Sequence, residues 1–216
     1  MKYIKKFNES NIAYLCLKYI DQCNSNKDNI SSGSLSYTID NNIVSVDGTL
    51  SLNIDLDEIP FNIAKVNSIF LSGNIKTLKN SPRIVHFSFN IGGCRNITSF
   101  LNGPDRVGGF IHLGILQIDS FVDMPRPLKD NYQITTSNYD TQKLFRIILK
   151  PKILDSNREQ NGYYIVDNEV CDNIEIFNDF DPIRPNNEFS LSRLNAYLTF
   201  IGKANIIELE GWKNID

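Results

Sequence analysis

The chain has 216 residues, 41% of them apolar, and a net charge of −3, enough for one compact core flanked by small caps. The acidic balance excludes wholesale binding to nucleic acid or to an anionic membrane, either of which needs a basic face. No run of about 18 apolar residues is present to span a bilayer.

The N-terminus, "MKYIKKFNES", is basic at Lys2, Lys5 and Lys6, but Asn8, Glu9 and Ser10 interrupt it before the apolar stretch of a secretory signal can form. Next, Ile12, Leu15, Cys16, Tyr19, Ile20 and Cys23 recur at helical spacing and predict a helix over 10–23, with Ser10 as its N-cap. The polar stretch 24–34 reads as a linker. Together these make residues 1–34 an expected N-terminal helical cap and linker. The four cysteines, Cys16, Cys23, Cys94 and Cys171, show no CxxC spacing and read as reduced thiols of a cytosolic protein.

Short strands are predicted at 36–39, 42–46 and 49–54, and a repeat follows. Pro82, Pro104 and Pro125 lie 22 and 21 residues apart. A large apolar residue stands four positions before each (Leu78, Phe100, Phe121) and another three positions after (Val85, Val107, Leu128). The preceding unit keeps Ile59 and Val66, with its proline moved to Pro60. A period of about 20–29 residues with one strand per unit is the signature of a leucine-rich-repeat type of solenoid. One unit cannot bury its own apolar face, so units stack their strands into a parallel sheet over a shared core.

With Val66, Val85 and Val107 as origins, alternation sends the fourth and sixth following residues inward: Phe70 and Ser72, Phe89 and Ile91, Ile111 and Leu113. The outward set is then Asn67, Ile69 and Leu71; His86, Ser88 and Asn90; Gly108, Phe110 and His112. The pairs Gly92-Gly93 and Gly108-Gly109 recur in phase with the repeat and read as turn residues. Neither GxxxxGK[ST] nor a strand–GxGxxG–helix context accompanies them, so no phosphate loop or nucleotide cofactor is expected.

After Lys129 the period dissolves. Residues 144–154 form an apolar run, strand or short helix, broken at Pro151; 162–166 is strand-like. Residues 190–203 predict a helix capped by Ser190, and 206–212 a last strand. The expected fold is α+β: a short solenoid over 35–130, an N-terminal cap over 1–34 and an α+β C-terminal cap over 131–216.

The stretch "YTIDNNIVSVDGTLSLNIDLDEIPFNIAKV" (37–66), followed by [Leu/Phe]-x-x-x-Pro-x-x-[Val/Leu] units, resembles the leucine-rich-repeat-like proteins of tailed bacteriophages. The likeness covers about two thirds of the chain and includes the "LSRLNAYLTFIGK" tail. The family's Asn-x-Leu motif is eroded here to Gly73-Asn74-Ile75 and Gly93-Cys94-Arg95. The resemblance implies a solenoid made in an infected bacterial cell. Separately, "MKYIKKFNES" resembles prohead-targeting leaders of large myoviruses, cut after a motif that would be Phe7-Asn8-Glu9 here; an ordinary lead into the first helix is the plainer reading.

Reactive chemistry is sparse. His86 and His112 sit four residues out of register on neighbouring strands, about 13 Å apart along the strand direction, too far to share a zinc ion. Cys94 reads as a small buried residue at a turn rather than a nucleophile. Asp55-Leu56-Asp57-Glu58 and Asp167-Asn168-Glu169 read as solvated loop charges, and Asp181 to Pro185 as a rigid loop. What is left is surface. Ile69, Leu71, His86, Ser88, Phe110 and His112 are the candidate binding residues for an unidentified protein partner, unless the terminal segment folds over them and makes them core. The expected function is non-enzymatic protein binding, without cofactor, metal, nucleic acid or membrane, in the host cytoplasm. An internal virion component delivered by the leader is the alternative, and an activity hidden in 144–216 is a third.

Overall fold

A computed structural model describes residues 36–40, 43–151 and 162–216. Five strands open it: β1 (Ser36–Asp40), β2 (Ile43–Asp47), β3 (Thr49–Ile54), β4 (Asn62–Gly73) and β5 (Ile84–Cys94). The pairs β6 (Arg106–Val107) with β7 (Phe110–His112), and β8 (Arg126–Pro127) with β9 (Asn131–Thr135), follow. Strands β3, β4, β5, β7 and β9 pair in parallel, in chain order, and the chain winds as a solenoid of about five turns. Hairpin β1–β2 is antiparallel, and β2 joins the first half of β4 in parallel.

The repeat seen in the sequence is the solenoid coil. In three successive coils, a landmark residue opens a four-residue turn: the carbonyls of Leu78, Phe100 and Phe121 accept from the N–H of Ser81, Gly103 and Met124 at 3.0, 2.7 and 3.1 Å. The third residue of each turn is left-handed, with φ of 66° at Asn80, 62° at Asn102 and 58° at Asp123. That is the demand of a type II turn, and Asn and Asp meet it at lower cost than other side chains. The following proline then starts the next strand. Leu78, Phe100 and Phe121 are buried one above another in a continuous core. Polar groups tie coil to coil: Asn80 Nδ2 donates to the Ile59 carbonyl at 2.8 Å, and the Asn102 N–H donates to Asp123 Oδ2 at 3.0 Å.

Beyond the parallel strands, β10 (Lys150–Pro151) and β11 (Tyr163–Asp167) extend the same sheet antiparallel, in the order β9–β11–β10. Three helices are described: α1 (Tyr139–Ile148), α2 (Asn168–Phe180) and α3 (Leu191–Phe200). Each has a side-chain N-cap, from Asn138, Asp167 and Ser190. Rings link them to the last coil: Phe121 lies 5.5 Å from Phe145 and 5.8 Å from Phe177, and Phe177 lies 5.0 Å from Tyr197. A small sheet of β12 (Ile183–Arg184), β13 (Glu188–Phe189) and β14 (Lys213–Asn214) completes the described structure.

Several expectations change. Ile69 and Leu71, expected to face outward, are core, 0% and 2% exposed, while Phe70 and Ser72 are the half-buried outward residues. The cause is a bulge: between the pairs Val66↔Val85 and Ser68↔Ser88, one residue of β4, Asn67, opposes two of β5, His86 and Phe87. The β6–β7 coil repeats the longer form with Gly108 and Gly109, so counting from Val66 slips by one. Those glycines serve close approach rather than a turn: a Cβ at Gly108 would stand 2.1 Å from the His86 carbonyl oxygen, and one at Gly109 2.7 Å from that of Phe87.

Asp167-Asn168-Glu169 starts α2, with Asp167 Oδ1 accepting from the Val170 N–H at 2.9 Å. Residues 206–212 are not a strand, and residues 183–184 are one. The segment 1–34, with its expected helix at 10–23 and the Phe7-Asn8-Glu9 motif, lies outside the described residues.

Candidate functional site: the outward face of the sheet

Strand pairing assembles two outward rows across six strands. One runs Thr49, Ser68, Ser88, Phe110, Gln133, Ile165; the other runs Ser51, Phe70, Asn90, His112, Thr135, Tyr163. Five strand spacings make this face about 24 Å wide. None of the twelve positions carries Asp, Glu, Lys or Arg, although 22% of the chain is charged. Outward sheet positions exposed to water are ordinarily where charge collects, so a neutral band of this width stands out chemically.

The band is apolar at intervals and internally tied. Phe110 is 46% exposed, and Phe87, in the bulge beside it, is 60% exposed. His112 Nδ1 and Thr135 Oγ1 share a hydrogen bond of 2.7 Å. Ser68 Oγ accepts from the Ser88 N–H at 3.3 Å, and Asn90 Oδ1 from the Gly92 N–H at 3.0 Å. Side chains already held by neighbours lose less entropy when a partner covers them.

Of the six sequence-predicted site residues, the sheet brings Ser88, Phe110 and His112 into these rows; His86 is exposed at the bulge, and Ile69 and Leu71 are excluded by burial. Sequence reasoning missed Phe70 and Phe87, because the bulge shifts the register, and it missed Gln133, Thr135, Tyr163 and Ile165. For Gln133 and Thr135 the signal was present: they alternate with Tyr132 and Ile134, and Ile134 continues the column of Phe89 and Ile111, whereas Tyr163 and Ile165 are placed only by their pairing with β9.

Neither thiol among the described residues is set up for nucleophilic chemistry. Cys94 is 1% exposed, and burial pushes its thiol up to about 12; burial likewise pushes Cys171 up to about 11. A nucleophilic thiol needs the opposite shift. Among the described residues, no three His, Cys, Asp or Glu side chains cluster to hold a metal ion, and no helix is long and apolar enough to cross a membrane. Comparisons with protein-family models, with curated proteins and with solved structures each found no match.

Proposed function

We propose that the chain is a binding module whose outward sheet face docks a protein partner, with the solenoid as a rigid support and residues 131–216 as its C-terminal cap. The carrying observation is the neutral two-row band with Phe87 and Phe110 standing exposed on it. Exposed aromatic area bounded by polar residues is the usual composition of a docking site, and aromatic side chains dominate binding energy once desolvated. The resemblance of 37–66 and the proline-phased units to the leucine-rich-repeat-like proteins of tailed bacteriophages supports a role during infection, with a host or defence protein as the partner class.

Affinity capture of the tagged chain from infected cells tests this. Phe110→Asp and Phe87→Asp should each remove the specific partner while leaving the circular dichroism spectrum unchanged. Glu208→Lys, an exposed site outside the sheet, should retain it. A folded Phe110→Asp protein that keeps every partner rules the face out.

A further inference from the structure

A second surface shares no residue with the sheet face. The type II turn at Phe121–Met124 faces helix α2 across a groove of about 370 Å³, lined on its apolar side by Phe121, Val122, Met124, Cys171 and Ile174. Phe121, Cys171 and Ile174 form a buried floor. Val122 is 42% exposed, and Leu101, its counterpart one coil earlier, is 49% exposed, so an apolar ridge leads to the groove. A volume of this size accepts one or two large side chains.

The charge around the groove selects what surrounds such a side chain. Among the described residues, Asp123, Asp172, Glu175 and Asp179 bring four carboxylates against one cation, Arg126. That cation is already committed: Arg126 Nη2 donates to Asp172 Oδ1 at 3.0 Å and to Glu175 Oε1 at 2.5 Å. Asp123 Oδ2 accepts from the Asn102 N–H at 3.0 Å and makes no ion pair with Arg126. An anionic segment would meet three uncompensated negative charges, whereas lysine or arginine on either side of an apolar anchor would meet partners.

We propose that this groove docks a second protein segment, one that inserts an apolar side chain carried between basic residues. The turn supplies the apolar wall and helix α2 the acidic rim.

The test uses the full chain and fluorescein-labelled peptides by anisotropy: Lys-Lys-Leu-Phe-Lys-Lys, its twin with every lysine replaced by glutamate, and a twin with serine. The basic peptide should bind saturably and the acidic twin should not, with affinity falling several-fold as salt is raised, since the rim charges are exposed. Asp123→Asn, which preserves both the left-handed turn and the acceptor for Asn102, and Asp179→Asn should each weaken binding by about three-fold. Val122→Ser should weaken it by about five-fold through loss of the apolar wall. Phe110→Asp should leave it unchanged, which separates this groove from the sheet face.

Equal binding of the acidic twin, absence of saturable binding, or indifference to all three groove substitutions overturns the proposal. Self-association of the chain that the basic peptide competes away would assign the groove to a second copy and overturn the partner-protein assignment.

Discussion

Ile69 and Phe70 are adjacent and both apolar; strand alternation puts them on opposite faces, and the bulge sets which of the two is buried. Ile69 is 0% exposed between Leu50 of β3 and Phe89 of β5, its register partners, whereas Phe70 stands half-buried on the outward face. Ile69→Ala deletes three carbon groups from the core, a transfer loss of about 2.4 kcal/mol. The rigid ladder on both sides limits collapse, so a cavity contribution brings the cost to roughly 3–4 kcal/mol. Phe70→Ala removes more atoms but from a partly wetted position, and should cost about 1 kcal/mol. Urea unfolding followed by far-UV circular dichroism measures both. The fluorescence of the single tryptophan, Trp212, reports whether the C-terminal region unfolds in the same transition. A Phe70→Ala loss equal to or larger than that of Ile69→Ala would refute the register and, with it, the composition of the sheet face.

Three further outcomes are expected. Tyr197 buries its hydroxyl without a hydrogen-bond partner, and burial holds that phenol up at about 12; Tyr197→Phe should stabilise by about 1 kcal/mol in the same urea assay. At Asn102, φ 62°, substitution by glycine should be close to neutral, and substitution by valine should cost about 1–2 kcal/mol by forcing a β-branched residue into the left-handed region. Alkaline stability should fall: the Cys94 and Cys171 thiols are raised in the fold to about 12 and about 11. The unfolded chain therefore releases their protons first as pH passes the ordinary thiol value near 9, giving a loss approaching 1.4 kcal/mol per pH unit per thiol above it. Thermal unfolding from pH 8 to 10.5 checks this, and replacing both thiols by alanine should flatten the slope.

The two halves of the molecule were unequally legible. Proline and large apolar residues spaced by a coil length mark a repeat whatever their neighbours are, because every coil must present one landmark to the same core. The helix capped by Ser190 was equally readable, since its cap and apolar stripe are local. Helix α2 was not: "NEVCDNIEIFNDF" is poor in strong helix formers, and its Val170, Ile174 and Phe177 stripe gains its stability from Phe121 and Tyr197, which belong to other elements. The three left-handed Asn and Asp residues recur in phase in the sequence, but their meaning as turn positions depends on the hydrogen bonds that close the turns.

Sequence alone determined that apolar landmarks recur at coil spacing, so the chain had to stack coils to bury them. Tertiary pairing decided which side chains face out, because an extra residue in one strand has no signature until a neighbour fails to match it. Ile69 and Leu71 thus went to the core, while Phe70, Phe87 and the residues of β9 and β11 joined the face. Burial in a sheet has a period of two along the strand, but its phase is set across strands.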